Sequence, residues 1–354
     1  MRTTSRALLL VALAAAAPVL GAQNRNNGNT NNGRPNPNAD NVIAAVLTET
    51  YSKFQNLREG KNADYIPALA KVDPNIFGIA LVTTDGKLFT AGDIKSEVSM
   101  QSISKVFTLA KVMEERGPDA IEKTIGVDAT GMRFNSIVAV EMAQKALGGP
   151  EMNSLVNPGA IATTAMLRGN TRDEIWKDLL AFYSAAAGRM LEVNQEVFKS
   201  ESETNQRNKA IGALMHAYGY IKENPDRATD IYTEQCSVNV TARDLAAMAA
   251  TLANGGKNPI TGKQVMSTKN VPYVLAVMST AGLYDDTGKW LYHTGLPAKS
   301  GVGGGIIAVA PGKFGIAVIS PPLDEAGNSV RAQRAITEIV DRLGANPYAV
   351  KPHH

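Results

Sequence analysis

Ile306-Ile307-Ala308-Val309-Ala310-Pro311-Gly312-Lys313-Phe314-Gly315-Ile316-Ala317-Val318-Ile319 is the stretch on which the fold turns. Two short apolar runs flank a Pro-Gly-Lys turn, the pattern of a hairpin built from buried strands. A second hairpin signal lies far upstream. There an apolar run over 77–82 is followed by Thr84-Asp85-Gly86-Lys87 and then Leu88-Phe89-Thr90, with Asp-Gly at the turn. Between the hairpins, residues 101 to about 285 carry mostly helical signals. Examples are 137–147, 171–187 (Thr171 as cap, Asp173 and Glu174 in the first turn) and 241–253, which Asn254-Gly255-Gly256 closes. Helical periodicity also marks 40–60, with Asp40 as N-cap and Gly60 as stop, and 329–343 at the far end. Strands at both ends with helices between predict an α+β fold. An antiparallel sheet comes from the N- and C-terminal strands (about 70–100 and 288–345) with a C-terminal helix. A helix-rich lobe (about 101–287) packs beside it and leaves a ligand cleft between the two.

The chain of 354 residues opens Met1-Arg2-Thr3-Thr4-Ser5-Arg6 and runs apolar from Ala7 to Leu20, then Gly21 and Ala22. Two arginines, a short apolar core and small residues predict a secretory signal peptide over 1–22, and so a periplasmic or secreted protein. Residues 23–40 are nearly all Asn, Gly, Pro and Arg, the composition of a disordered linker. One catalytic domain over 41–345 and a flexible tail over 346–354 complete the expected organisation. The net charge of +3 falls close to neutral once Arg2 and Arg6 leave with the leader, and there is no Lys/Arg block. Nucleic acid and membrane are therefore not expected partners. Cys236 is the sole cysteine, which rules out an intramolecular disulfide. It reads as a small core residue, the alternative being a nucleophile paired with His216 or His293. The histidines show no ligand spacing, so neither metal nor cofactor is expected. The run Gly301-Val302-Gly303-Gly304-Gly305 fails the dinucleotide pattern, since its spacing is wrong and a strand follows where a helix is required.

The chemistry concentrates in Met100-Gln101-Ser102-Ile103-Ser104-Lys105-Val106-Phe107, which reads as the first turn of a buried helix. Three residues apart, Ser102 and Lys105 share one face, a nucleophile beside a base. A serine hydroxyl needs such a neighbour, and burial pushes a lysine towards the neutral form that can accept a proton. Alone, one Ser-x-x-Lys is expected by chance, and a capped surface turn is the bland alternative. Here the motif occurs once and is set among Val98, Met100, Ile103, Val106, Phe107 and Leu109. Lys299-Ser300-Gly301 opens the third strand. Ser-x-x-Lys followed by Lys-Ser/Thr-Gly resembles the penicillin-recognising serine enzymes. In that pattern the lysine lowers the cost of negative charge, and the strand edge supplies a backbone N–H to an oxyanion hole shared with the N–H of Ser102. The third element, Ser-Asp-Asn, has no clear counterpart. Ser237-Val238-Asn239 comes too late in the chain and leads into the Thr241-capped helix.

A more specific resemblance is to the serine-dependent glutaminases, relatives of the β-lactamase/transpeptidase-like fold. It rests on Gly60-Lys61-Asn62-Ala63-Asp64-Tyr65-Ile66-Pro67, Gln101-Ser102-Ile103-Ser104-Lys105, Phe134-Asn135-Ser136, residues 201–208, Thr251-Leu252-Ala253-Asn254-Gly255-Gly256, Gly282-Leu283-Tyr284-Asp285, Leu296-Pro297-Ala298-Lys299-Ser300-Gly301-Val302, Ser320-Pro321-Pro322-Leu323-Asp324 and Gly327-Asn328-Ser329-Val330. Asn62 departs from the Val expected there. The resemblance implies a glutaminase that hydrolyses L-glutamine to L-glutamate and ammonia through a Ser-Lys acyl-enzyme. It implies Ser102 as nucleophile, with Lys105, Tyr65 and Tyr284 around the reaction centre, any of which takes the first proton. Tyr65, Ser102, Asn135, Glu201, Asn208, Tyr232, Tyr284 and the backbone N–H of Val302 would contact the substrate, Glu201 holding its α-ammonium. A homo-oligomer, a tetramer, is implied as well. The competing expectations are a periplasmic β-lactamase or penicillin-binding esterase, and an exported glutamine-binding protein without catalysis.

Overall fold

The computed structural model describes residues 37–145 and 152–352. The leader at 1–22 and the linker up to residue 36 lie outside the described residues. The seven strands among them are β1 (Gly78–Thr83), β2 (Leu88–Gly92), β3 (Val98–Ser99), β4 (Asn239–Val240), β5 (Ala298–Gly301), β6 (Gly305–Ala310) and β7 (Phe314–Ile319). Five of these form one sheet in the order β2-β1-β7-β6-β5, every neighbouring pair antiparallel. Both hairpins expected from the sequence are present. The upstream one turns at Gly86, whose φ of +87° suits a residue without Cβ. The N-terminal hairpin joins the C-terminal one through the β1–β7 pairing, with Val82 opposite Gly315.

The strands are apolar on both faces because both faces are covered. Successive side chains alternate sides. Ile79 and Leu81 of β1, Ile306 and Ala308 of β6, and Ile316 and Val318 of β7 pack into one core with Val46, Leu47, Trp290, Ile336 and Ile339. These last come from the helices Pro37–Phe54, Thr287–Thr294 and Val330–Arg342. Ala80, Val82, Ile307, Val309, Ala317 and Ile319 face the opposite core, which belongs to the helical lobe. The helix Ala242–Ala253 lies directly on that face. Thr241 caps it reciprocally with Asp244, and Thr171 does the same with Glu174 for Arg172–Ala187. On the sheet side the close approach is made at Gly315, where a Cβ would stand 2.0 Å from the backbone nitrogen of Ala250.

Some expectations need correction. The first helix is Pro37–Phe54, so it starts inside the stretch assigned to the linker and stops before Gly60. Pro37 fits a helix start because the missing N–H has no intrahelical partner there. Asp40 therefore sits within the first turn, and its carboxylate holds Lys87 at 2.9 Å. Gly60, at φ +91°, leads instead into a bridge in which Lys61 N–H donates to Leu323 O at 3.0 Å. The helix expected over 137–147 is present as Ile137–Lys145, and its remainder lies outside the described residues. The β3–β4 ribbon has no sequence signal, since each strand is only two residues long. It is extended by Met100 N–H donating to Val238 O at 2.7 Å, which fixes the chain just before Ser102.

Overpacking where two backbones nearly touch is costly, so Gly315→Ala should lower unfolding stability by about 2–3 kcal/mol. Urea denaturation should show a lower midpoint at unchanged slope. A wild-type midpoint would mean that the helix is free to lift off the sheet.

Candidate active site

Ser102 sits in a short 3₁₀ turn, Gln101–Ile103, and the α-helix Ser104–Arg116 follows without a break. The expected first turn of a buried helix is thus tighter than an α-turn. Gln101 enters it at φ +50°, a left-handed conformation that a non-glycine residue adopts only when its surroundings impose it. Its amide donates to Ser99 Oγ at 3.1 Å, and Ser104 Oγ donates to Gln101 O at 2.7 Å. Across the turn lies the end of β5. A Cβ on Gly301 would be 2.8 Å from Met100 O, and one on Gly303 would be 2.3 Å from Ser99 O. The glycine run is therefore a close backbone approach. It sets Val302 beside the serine turn, and both residues line one cavity of ≈ 140 Å³.

Lys105 is buried at 1% exposure, and its ammonium donates to Asn157 Oδ1 at 2.6 Å. Asn157 in turn donates to Asn208 Oδ1 at 3.0 Å, and its N–H holds Phe134 O at 2.7 Å. The Tyr232 ring lies 5.6 Å from the same ammonium. Burial lowers the Lys105 pKa to about 8, while Glu201 nearby works to raise it. Tyr284 hydrogen-bonds Ser102 and donates from its hydroxyl to Ser300 O at 3.4 Å. Burial pushes this phenol up to about 12. Its backbone has φ +57°, a second left-handed residue at the site.

The remaining side chains named from the sequence fall around the same cavity. Tyr65, Asn135, Glu201, Asn208 and Tyr232 all line it with Ser102 and Val302. Tyr65 stands at the mouth, 55% exposed. Burial raises the Glu201 carboxyl to about 7, against hydrogen bonds from Gln101 and Ser237 that favour its charged form. Ser237 Oγ donates to Glu201 at 3.4 Å, whereas Asn239 turns to Glu97 at 3.1 Å, so this segment is no Ser-Asp-Asn element. Cys236 also borders the cavity, but burial raises its thiol far above the ordinary value, which makes it a poor nucleophile. His216 is engaged with Ile221 O at 2.8 Å, and His293 packs on Tyr292. Among the described residues no cluster of His, Cys, Asp or Glu is placed to hold a metal ion.

Two parts of the motif do something other than expected. Lys299 is buried behind Tyr284 and is not a cavity wall, and Ser300 lies opposite Ile306, on the strand face turned towards the terminal helices. The Ser300 carbonyl accepts from the Tyr284 hydroxyl, and the Ser300 hydroxyl itself reaches Tyr284 and Gly282 O. Residues given no role from the sequence complete the cavity: Asn157, Gln101, Phe134 and Arg207 all border it. Arg207 Nε donates to Asn135 O at 2.9 Å, which steadies the rim. An asparagine in Val156-Asn157-Pro158 reads as an ordinary helix start, and only the long-range contact with Lys105 reveals its place.

A family model described as Glutaminase matches residues 60–348. The chain belongs to the glutaminase family. A glutaminase of Colwellia psychrerythraea is 54% identical over 305 residues, covering 86% of this chain and 97% of the relative. One from Mycobacterium ulcerans is 50% identical over 301 residues, covering 85% and 93%. Among solved structures, the probable glutaminase ybaS aligns with a TM-score of 0.85 at 44% identity, covering 88% of this chain and 99% of that one. A probable glutaminase from Bacillus subtilis, complexed with 6-diazo-5-oxo-L-norleucine, aligns with a TM-score of 0.77 at 28% identity, covering 86% and 96%. Glutaminases are amidohydrolases, and the reaction of this chain is the hydrolysis of L-glutamine to L-glutamate and ammonia.

Proposed function

We propose that this glutaminase works through an acyl-enzyme on Ser102, with Lys105 as the base. The observation that carries this reading is the buried Lys105 one helical turn from Ser102, with a pKa of about 8 that leaves part of it neutral near pH 7. The Tyr284 phenol, up at about 12, is protonated there and suits the opposite role. Ser102 Oγ attacks the side-chain amide carbon of glutamine while the Lys105 amine takes its proton. The oxygen turned negative is received by the backbone N–H groups of Ser102 and Val302. Tyr284, already bonded to Ser102, hands its proton to the departing nitrogen as the C–N bond breaks, and the Lys105 ammonium restores it. Ammonia leaves. Water then attacks the ester carbon, gives its proton to Lys105 and releases glutamate, and Ser102 is reprotonated.

Glu201 is the counter-charge for the substrate α-ammonium. Asn135, Asn208 and Tyr232, with Asn157 behind them, orient the carboxylate end, and Tyr65 covers the mouth. The ligand in the Bacillus subtilis relative supports this reading, because it is an L-amino acid with a carbonyl at the position of glutamine's side-chain carbonyl. We also read residues 1–22 as an export signal and the working protein as a homotetramer; the first rests on the leader pattern and the second on family resemblance.

Ser102→Ala should abolish ammonia release from L-glutamine with the thermal unfolding curve unchanged. Wild type should leave nitrocefin intact, and turnover by the variant would remove the serine mechanism. For wild type, kcat/KM should climb from pH 6 to 9. Glu201 must lose a proton near 7 to hold the ammonium, and Lys105 must lose one near 8 to act as base. Glu201→Gln should raise KM by on the order of 10- to 100-fold and erase the lower of the two ionisations. An unchanged KM would take the ammonium away from Glu201. Mass spectrometry of the protein recovered from periplasm or medium should show an N-terminus at Gln23, and an intact Met1 there would exclude cleavage.

A further inference from the structure

The cavity at Ser102 is lined by one acid and one cation among the described residues, Glu201 and Arg207. They stand either side of the corner at which the helix Gln195–Thr204 gives way to Gln206–Ala217. Free glutamine carries one charge of each sign too, on its α-ammonium and its α-carboxylate. With the ammonium at Glu201, the carboxylate is left to neutral donors unless a cation joins them. A carboxylate taken out of water needs donors on both oxygens, and charged donors make the stronger bonds.

Arg207 is placed to be that cation. Its Nε donates to Asn135 O at 2.9 Å, which anchors the guanidinium at the cavity rim. That bond spends one of five N–H groups. The two terminal nitrogens form no ion pair with a carboxylate of the described residues, and they keep a planar fork that matches two carboxylate oxygens. Asn208, the next residue, accepts at Oδ1 from Asn157 at 3.0 Å. This bond occupies the Asn208 carbonyl and leaves its Nδ2 to donate. Neighbouring positions on one helix thus offer the same cavity a charged fork and an amide donor.

We propose that Arg207 receives the α-carboxylate of glutamine and sets the specificity of the site for an amino acid whose carboxyl group is free. A glutamine whose α-carboxyl is tied up in an amide presents no charge to the guanidinium. The proposal rests on the reading of Glu201 as the ammonium partner, which turns the amino-acid end of the substrate towards this corner. Arg207 takes no part in the proton transfers at Ser102.

The test compares L-glutamine with L-glutaminamide, which keeps the ammonium and the side-chain amide but ends in a neutral α-amide. Side-chain hydrolysis of each is followed in the full chain as wild type, Arg207→Gln and Arg207→Lys. Wild type should prefer L-glutamine by about 100-fold in kcat/KM. Arg207→Gln should raise KM for L-glutamine about 10- to 30-fold with kcat within about threefold, and should cut the preference to less than about tenfold. Arg207→Lys, which keeps the charge without the fork, should fall between the two. Equal losses on both substrates would make Arg207 only a brace for Asn135 and would overturn the proposal. So would an unchanged KM for L-glutamine in Arg207→Gln, or a wild type that hydrolyses both substrates equally well. Glu201→Gln is measured alongside. A raised KM there with none in Arg207→Gln would sink this proposal alone, whereas no change in either variant would take the substrate away from this cavity.

Discussion

Two buried lysines, neither of them in a salt bridge, are the constraint on which this architecture depends. Taking an ammonium out of water is tolerable only when every N–H meets an acceptor. For Lys105 that acceptor is Asn157, whose other amide atoms are spent on Asn208 and whose backbone holds the rim at Phe134. For Lys299 the acceptors are two carbonyls and an aromatic face. The neutral acceptors must themselves be fixed. The helix start at Asn157, the turn at Gly282 and the end of β5 are therefore held by the same demand, and Ser102 stands in the space that they leave.

Backbone strain is concentrated at the same place. Gln101 and Tyr284 are the non-glycine residues at positive φ among the described residues, and they flank Ser102 from two different segments. Each such residue costs on the order of 1–3 kcal/mol. The cost is sustained by rigid surroundings. The sheet below is covered on both faces, and the serine turn is pinned on one side by the β3–β4 ribbon and on the other by glycines pressed against Ser99 and Met100. The left-handed step at Gln101 tilts Ser102 out of the α-helical course and into the cavity.

Local signals carried much of this into the sequence. Apolar runs around Pro-Gly and Asp-Gly turns mark the sheet, capping boxes mark the helices at Thr171 and Thr241, and Ser-x-x-Lys among apolar residues marks the proposed nucleophile. What stayed hidden depends on long-range contact. Asn157 joins the site through a lysine 52 positions away, which no spacing rule reports. The Ser300 carbonyl had no role in the motif as read, yet it accepts from the Tyr284 hydroxyl 16 positions away. The glycines after Ser300 fail the dinucleotide pattern in the sequence; in the structure their purpose is the absence of Cβ against a neighbouring backbone. The first helix begins earlier than its composition suggests, because apolar residues further along, Val46 and Leu47, pull the whole segment onto the sheet.

Burial acts on the acid and the base of this site in opposite directions and brings them close together. Glu201 rises to about 7 and Lys105 falls to about 8, so each is poised near neutrality. They are coupled, because the negative charge on Glu201 supports the proton on Lys105. An α-ammonium arriving at Glu201 neutralises that charge. It favours the ionised carboxylate, and it removes from Lys105 the support for its own proton. The free amine is then the form favoured in the occupied site. In the proposed mechanism a substrate without the ammonium leaves Lys105 with its proton, so recognition of the amino-acid end and activation of the serine draw on one electrostatic balance.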